Sequence, residues 1–436
     1  MAHRRAPHKL VYSPYTRKSK PDRDDRPLFD ETDKPFEPKT PPPCSSRALL
    51  EWSTSNIRLS DDETMSSLVD LDELGQAQRL VFRNLKLGHG STEISTLLDV
   101  AVFDRLPCGR WAAPQKPLID AVEFRPTESR GYGCFATQFI PQASLIHVEY
   151  PATVTQNTMV LPPSYQMTTA EVYRELFRRV PDKTFQALMS LCNSQPPESG
   201  FEPEEAILRT NTIGITLPFP ESHGSAAMGH NAVFLQASRF NHSCAPNASH
   251  RFDPKSFTLT VHTLRPINKG EEICISYIDL IAHPTRAARL SMLEKLHHFY
   301  CTCAVCMLPA AVITASDARR ERISEATPEK IHEPFNAWYA SRERSRDKLK
   351  EVMAFHTEAV TDMMSEGLHF RFRYFLHLFL LAVCYAALKD TRNFRSWLGK
   401  ARDVANSSYL ASEETQKLLQ HIMNPETFPA WGWAVN

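Results

Sequence analysis

Three cysteines stand within six positions of the chain, in the segment YCTCAVC that runs from Tyr300 to Cys306. Thiols at this spacing can wrap a single metal ion, and zinc is the natural ion for a site built from thiolates. A structural zinc site has four ligands, so Cys301, Cys303 and Cys306 need a fourth from elsewhere in the chain. A metal that joins distant segments acts as a cross-link and restricts the folds that the chain can adopt.

The best candidate for the fourth ligand is Cys244, in the polar segment SRFNHSCAPNASH. This segment lies between two strand-like runs, where a turn that carries a ligand is expected. His242 is a rival ligand in the same segment, and three ordinary reduced cysteines near a helix end are the alternative to any metal site. Four thiolates would leave no open coordination position, which predicts a structural rather than a catalytic zinc.

Length, charge and apolar content limit the kinds of partner. The 436 residues are enough for two or three domains, and the formal net charge of zero argues against strong direct nucleic-acid binding. The first residues, MAHRRAPHKL, lack the apolar core of a signal peptide, so we expect a reducing compartment, where clustered cysteines usually hold metal. The longest apolar run, Phe375–Leu388, is too short to span a bilayer and predicts a buried helix rather than a membrane partner.

The sequence before residue 118 predicts two regions without visible chemistry. Residues 1–47 alternate charged residues with Pro and contain few large apolar residues, which predicts a disordered tail. Residues 48–117 form a predicted helical N-terminal region, because apolar residues recur at three- and four-residue steps between Thr64 and Leu87.

The middle of the chain combines short strand-like runs with helical segments. Runs rich in Val, Ile, Thr and aromatic residues predict strands within Leu118–Phe124, Ala143–Tyr150, Asn231–Gln236, Ser256–Leu264 and Glu272–Ile278. Helical periodicity predicts helices within Thr169–Cys192, with a break at Pro181, and within Glu202–Asn211 and Thr285–Phe299. From about residue 311 to the end the strand signal vanishes, which predicts stacked helices.

Four short motifs follow one another along the chain: RGYGCFAT (130–137), RFNHSCAPN (239–247), GEEICISYID (270–279) and YCTCAVC (300–306). In this order they resemble the signatures of SET-domain protein lysine methyltransferases, and the helical C-terminal third resembles the SET-and-MYND subgroup and its fungal relatives. The match covers about residues 118–306. One departure is clear, because the repeated C-x-x-C pairs of the MYND module do not occur between Pro151 and Asn211.

The resemblance implies an α+β fold with a SET-domain β-fold of small curved sheets at 118–280. It implies a helical insertion at about 165–211, a zinc-binding post-SET region at 281–310 and a helical C-terminal domain at 311–436. The N-H-S-C segment and the strand leading to Tyr277 are expected to cross in a knot-like arrangement. The cofactor would lie on one face, and the target lysine would enter a channel from the other.

The resemblance also implies the site residues. Tyr277 takes the catalytic position, although a strand tyrosine is more often a core residue with a satisfied hydroxyl. The implied contacts to S-adenosyl-L-methionine are Arg130, Gly131, Tyr132, Gly133, Asn211, Asn241, His242, Tyr277 and Phe299, with Phe299 stacked on adenine. The zinc ligands are Cys244, Cys301, Cys303 and Cys306. His297 and His298 match no catalytic position and are predicted to lie on the helix surface.

The function implied is an S-adenosyl-L-methionine-dependent protein lysine methyltransferase that acts on a histone or another protein. The alternative is a catalytically inactive SET-domain scaffold, with the helical C-terminal third as its protein-interaction surface. A monomer in the nucleus, the cytoplasm or both is expected. The intact set of Arg130–Gly133, Asn241, His242 and Tyr277 favours the enzyme.

Overall fold

A computed structural model describes residues 80–87, 92–107, 110–117, 120–157, 167–217, 229–369, 372–408 and 412–434. The predicted disordered tail at 1–47 lies outside these residues, as do residues 48–79 of the predicted helical N-terminal region.

The strands form three small sheets. Their bounds are β1 Leu80–Leu87, β2 Thr92–Asp99, β3 Val122–Pro126, β4 Tyr132–Ala136, β5 Leu145–Glu149, β6 Thr153–Gln156, β7 Thr212–Ile215, β8 His230–Val233, β9 Asn241–His242, β10 Ala248–Asp253, β11 Thr258–Thr263 and β12 Glu272–Ile275. The strand orders are β1-β2-β6-β8-β7, β10-β11-β5 and β3-β4-β12-β9.

The helices lie mostly in the insertion and the C-terminal third. Their bounds are α1 Val100–Phe103, α2 Thr169–Arg178, α3 Asp182–Met189, α4 Pro203–Asn211, α5 Arg286–His297, α6 Ala310–Glu325, α7 Pro328–Ala340, α8 Arg346–Ser365, α9 Phe372–Ala387, α10 Thr391–Ser408 and α11 Ser412–Met423. Small mixed sheets followed by a helical region confirm the predicted fold class.

The region predicted to be helical before residue 118 contains a β-hairpin instead. β1 and β2 pair antiparallel along their full length, from Leu80 opposite Asp99 to Leu87 opposite Thr92. β2 also pairs with β6, so it lies inside the sheet, and its last six residues are all buried. The prediction of a helical region at 48–117 is therefore wrong for β1 and for β2. The apolar spacing of β1 fits a helix as well as a strand, and pairing with β2 decides between them.

Each of the five strand predictions in the middle of the chain is confirmed, as β3, β5, β8, β11 and β12, with shifted ends. β12 matters most for the site because it lies between the two strands that carry the other motifs, β4 and β9. It pairs antiparallel with β4 and parallel with β9, where Cys274 lies opposite Asn241 and Ile275 opposite His242. The two motif segments thus meet in one sheet, and Tyr277 lies two residues beyond the end of β12.

The helical predictions for the insertion and for α5 are confirmed. A capping box between Thr168 and Glu171 starts α2, and Pro181 stands at the N-cap of α3, where its missing N–H does no harm. α4 begins at Pro203, the favoured first helical position for proline. α5 ends at His297, and the C-cap residue His298 adopts the left-handed conformation with a φ of 57°.

The C-terminal helices enclose an extended apolar core. α9 is buried along nearly its whole length, as predicted for the apolar run at Phe375–Leu388, and it packs against α8 and α10. Cys244, Cys301 and Cys306 belong to this same buried cluster. In the described part of the chain, no helix combines the length and apolar character needed to cross a membrane.

Candidate active site and cysteine cluster

The structure brings the four predicted zinc ligands together. The sulfur atoms of Cys244, Cys301, Cys303 and Cys306 all lie within 4.8 Å of one another. The Cys244 sulfur is 3.5 Å from that of Cys306 and 4.0 Å from that of Cys301. Tetrahedral zinc with Zn–S bonds of about 2.3 Å places its sulfur atoms about 3.8 Å apart, so the cluster has the dimensions to hold zinc.

The electrostatics of the cluster also suit a metal. Hydrogen bonds from Cys244, Cys301 and Cys306 hold the pKa of the Cys303 thiol far below its ordinary value. The hydrogen bond with Cys301 is the largest cause of the raised pKa of Cys244. The pKa of Cys306 is lowered as well, by its hydrogen bonds with Cys244 and Cys301. A lowered pKa favours the thiolate, which is the form of cysteine that binds metal. The backbone N–H of Cys244 also donates to the Cys303 sulfur over 3.4 Å.

His242, the rival ligand, lies beside the cluster and connects it to Tyr277. Its Nε2 is 3.3 Å from the Cys244 sulfur, and its Nδ1 accepts the backbone N–H of Tyr277 over 3.0 Å. Burial lowers the pKa of His242 to about 3, so the ring is neutral near pH 7. The four sulfurs complete a ligand set without this ring, and His242 fixes the backbone after β12 instead.

Tyr277 has a defined hydroxyl position. Its hydroxyl donates to the carbonyl oxygen of Phe240 over 2.7 Å. Burial raises the pKa of the Tyr277 phenol, so the group stays protonated at neutral pH. The hydroxyl proton is committed to Phe240, and the phenol oxygen keeps its capacity to accept a hydrogen bond. Tyr277 packs against both the sheet core and the core of the C-terminal helices.

Three rings, from His242, His297 and Phe299, surround the ring of Tyr277. The ring of Phe299 lies 6.3 Å from that of Tyr277 and 6.1 Å from that of His242, measured between centroids. His297 lies closer, 5.2 Å from the Tyr277 ring, and burial lowers its pKa. The surface prediction is therefore wrong for His297, which is half-buried in the site, whereas His298 is exposed. After the left-handed residue His298 the chain turns, so that Phe299 lies beside Tyr277. The helical periodicity of the sequence does not predict this turn.

The glycine turn is bound to the start of β12. Arg130 forms an ion pair with Glu272, and Gly131 has a φ of 66°, a conformation that suits glycine. A Cβ on Gly133 would lie 2.8 Å from Oε1 of Glu272 and 3.1 Å from Nδ2 of Asn241, so a side chain there would clash.

Asn241 joins the glycine turn to the N-H-S-C segment. Its Nδ2 donates to the Tyr132 carbonyl over 3.1 Å and to Glu272 over 2.8 Å. The Tyr132 side chain is 47% exposed, and the guanidinium of Arg239 lies 4.7 Å from the centre of its ring. The predicted cofactor-binding segments at 130–133 and 241–242 are thus adjacent, with Tyr132 at the solvent edge.

Asn211 lies at the end of α4, and its amide has structural partners. Its Nδ2 donates to the carbonyls of Cys192 and Ile207 over 2.7 and 2.8 Å. Its own carbonyl accepts from Ser238 over 3.0 Å, three residues before Asn241. Asn211 therefore supports the approach to the N-H-S-C segment through its backbone.

Sequence reasoning missed Asn247, the last residue of the N-H-S-C motif. This buried side chain accepts the N–H of Cys274 over 2.7 Å and donates to the carbonyl of Glu272 over 2.8 Å. It fastens the end of the cysteine turn to β12. Its position in the RFNHSCAPN motif could have indicated a role. Every role in that motif was instead assigned to Asn241, His242 and Cys244.

Comparisons with known proteins agree with this arrangement. Residues 131–278 match the family model of the SET domain. The Schizosaccharomyces pombe protein named histone-lysine N-methyltransferase set5 is 30% identical over 200 residues, which cover 46% of this chain and 54% of that protein. The human protein-lysine N-trimethyltransferase SMYD5 is 40% identical over 81 residues, 18% of this chain and 19% of that protein.

A SET and MYND domain-containing protein of Dictyostelium discoideum is 35% identical over 103 residues, 23% of this chain and 29% of that protein. These similarities confirm the predicted relationship to SET-and-MYND proteins. The chain spans about half, or less, of the length of each of these relatives.

Proposed function

This chain carries a SET domain at residues 131–278, and from that premise we propose that the protein is a protein lysine methyltransferase that uses S-adenosyl-L-methionine. The observation that carries the proposal is the position of Tyr277. Its hydroxyl is fixed by the Phe240 carbonyl at the point where the N-H-S-C segment, β12 and the post-SET loop meet.

Tyr277 acts by orientation and desolvation of the reacting amine. Methyl transfer to lysine needs a neutral amine aligned with the methyl group and little competing water. Tyr277 commits its proton to Phe240, so its oxygen can accept an N–H bond from the target amine. The rings of His297, Phe299 and His242 surround Tyr277 and provide an aromatic wall, and exclusion of water by this wall lowers the pKa of an entering lysine.

The cofactor contacts are assigned to the segments that the fold brings together. S-Adenosyl-L-methionine, when bound, supplies an electrophilic methyl group on a sulfonium centre. Arg130, Gly131, Tyr132 and Gly133 offer backbone groups at the methionine end, next to Asn241 and His242. Phe299 presents its ring for stacking on adenine. Asn211 holds the neighbouring segment through Ser238.

Cys244, Cys301, Cys303 and Cys306 hold a structural zinc ion in this proposal. Four sulfur ligands close the coordination shell, so the ion fixes positions and does no chemistry. The ion would pin Phe299, two residues before Cys301, against His242. The zinc thus keeps the wall of the site in place.

The substrate class is a lysine side chain in a protein. The relatives named above are methyltransferases of histone lysine in fission yeast and of protein lysine in human. We extend the broader class to this chain, with a histone as one candidate. The proposal includes residence in the nucleus, the cytoplasm or both, where histones and other protein substrates occur. It also includes a monomer, because the proposed site is built from residues of one chain.

A turnover assay with labelled S-adenosyl-L-methionine tests the proposal. The full chain should label protein bands of a cell extract, and mass spectrometry should place the label on lysine. Tyr277→Phe should lower kcat by about 10²-fold because the amine loses an orienting contact. Cofactor affinity in calorimetry should change little, because the aromatic wall remains.

Near-normal turnover of Tyr277→Phe would remove Tyr277 from the catalytic role. Binding of S-adenosyl-L-methionine without any labelling would favour the inactive scaffold. Absence of cofactor binding by the zinc-loaded full chain would overturn the proposal. Tyr339→Phe is a matched control, since this tyrosine packs on Trp433 in the C-terminal helices.

A further inference from the structure

A charged side chain occupies a core position of the helix α6. The buried residues of α6 are Ile313, Ser316, Arg320 and Ile323, which recur at the three- and four-residue steps of a helix face that packs into a core. The Arg320 side chain is fully buried, with 1% of the residue exposed. An arginine at such a position is costly unless strong partners compensate its burial. Nε and Nη2 of Arg320 have such partners, whereas its buried Nη1 has no hydrogen-bond partner in the part of the chain that the structure describes.

The main partner of Arg320 is Glu366, which is 2% exposed at the C-terminal end of α8. Nε of Arg320 donates to the Glu366 carboxylate over 2.8 Å, and Nη2 donates to the Glu366 carbonyl over 2.6 Å. The same carboxylate accepts from Ser316 over 2.6 Å and from Arg319 over 2.8 Å. The pair thus joins two C-terminal helices.

The second partner of Arg320 lies in the SET domain. Nη2 also donates to the carbonyl oxygen of Cys244 over 3.0 Å. Ala245, the residue after Cys244, also approaches the end of α8. A Cβ on Gly367, which follows Glu366 there, would lie 2.5 Å from the Cβ of Ala245. Gly367 has a φ of 69°, so glycine suits both the turn and the close approach.

We propose that Arg320 is a positioning residue, which holds the Cys244 turn against the C-terminal helices and thereby sets the geometry of the cysteine cluster and the cofactor site. The connection runs from the Cys244 carbonyl to the Cys244 sulfur, which lies 3.3 Å from His242, and from His242 to the backbone of Tyr277. The C-terminal helices are therefore part of the site's scaffold. The expected effects of Arg320 on zinc affinity and on turnover rest on the proposed function. The expected effect on the rigidity of the turn at 241–247 does not.

The variant Arg320→Met tests this role with three readouts on the full chain. Hydrogen exchange of the segment 241–247 should become faster, because the turn loses its anchor. Zinc release to a chromogenic chelator should reflect an affinity lowered by about 10- to 100-fold, the usual effect of losing a residue that orients a metal ligand. KM for S-adenosyl-L-methionine should rise.

Two neighbouring arginines on α6 provide matched controls. Arg319 pairs with the same carboxylate of Glu366, and no contact between it and Cys244 occurs among the described residues. Arg322 forms an ion pair with Asp362 with 61% of its side chain exposed. Arg319→Met should lower thermal stability without faster exchange at 241–247, and Arg322→Met should change neither quantity.

If Arg320→Met fails to fold, Gly367→Ala crowds the neighbouring Ala245 and displaces the same turn from the helical side, so it should give the same three effects. Wild-type exchange at 241–247 in whichever variant folds would overturn the proposal. Equal exchange in Arg319→Met and Arg320→Met would overturn it as well, since the loss would then be general destabilisation. Faster exchange at 241–247 without any methyl transfer by the wild type would support the positioning role and contradict the proposed function.

Discussion

The two sides of the site around Tyr277 are built in different ways. The glycine turn and β12 belong to the sheet core, with Cys134, Ile273 and Ile275 buried among strands that pair through backbone ladders. Cys301 and Cys306 belong to the core of the C-terminal helices. Residues 299–309, which carry these cysteines, contain no strand or helix.

This difference shows what each side depends on. Backbone ladders distribute the stability of the sheet side over many weak bonds, so single side chains matter moderately there. The cysteine side concentrates its order in a few groups: four sulfurs, His242 and Arg320. We therefore expect single substitutions to have larger effects on the cysteine side.

The largest expected effect is that of Cys306→Ser. This change removes one of four sulfurs from a buried cluster and should cost more than about 4 kcal/mol of unfolding free energy, in the range for loss of a metal. Zinc content by atomic emission should fall, and KM for S-adenosyl-L-methionine should rise as Phe299 loses its support.

Cys192→Ser is the control for Cys306→Ser, because Cys192 is an exposed free cysteine outside the cluster. It should leave zinc content and unfolding unchanged. A Cys306→Ser protein with full zinc content and normal stability would remove the distinction between the two sides.

The second largest expected effect is a loss of stability at low pH, caused by two histidines in the core of the C-terminal helices. His356 and His377 are both buried, and their Nδ1 atoms lie 2.9 Å apart, so one ring donates and the other accepts. Burial lowers the pKa of His356 to about 3 and that of His377 to about 4, from 6.5. The unfolded chain binds protons first, so stability present above about pH 6.5 is lost as the pH falls toward these values.

The expected loss between pH 7 and pH 4 is on the order of 3 kcal/mol per histidine, because one pKa unit corresponds to about 1.4 kcal/mol. The double variant His356→Asn with His377→Asn keeps a polar contact at the δ positions and removes both titrations. Urea unfolding at pH 7 and pH 4 should show a smaller difference in unfolding free energy for the double variant than for the wild type. The variant His283→Asn, outside the pair, should keep the full difference. Unchanged acid sensitivity of the double variant would assign it to other buried histidines, such as His230 in the sheets or His369 beside the C-terminal helices.

Sequence patterns revealed the groups whose chemistry is local, such as the cysteine spacing and the motif that contains Tyr277. They also gave most of the elements from β3 to α9, because turn residues and periodicity are clear there. β1 was misassigned, because its partner strand decides its structure. The contacts of Asn247 and Arg320 were invisible, since each depends on a residue far away in the chain, 27 positions for Asn247 and Cys274 and 76 for Arg320 and Cys244. Nothing in the sequence SDARRERIS distinguishes the fully buried Arg320 from the more exposed Arg319 and Arg322.

The smallest expected effect lies on the sheet side, at Glu149. Its carboxylate accepts the backbone N–H groups of Gln236 and Ala237 over 2.8 to 3.1 Å, at the start of the turn that leads to Phe240. Glu149→Gln keeps the shape and weakens charge-assisted bonds, so about 1 kcal/mol of unfolding free energy should be lost. Because Phe240 holds the Tyr277 hydroxyl, kcat should fall severalfold while zinc content stays the same. A loss of zinc in Glu149→Gln would mean that the two sides of the site are one unit, since the sheet side would then control the cysteine side.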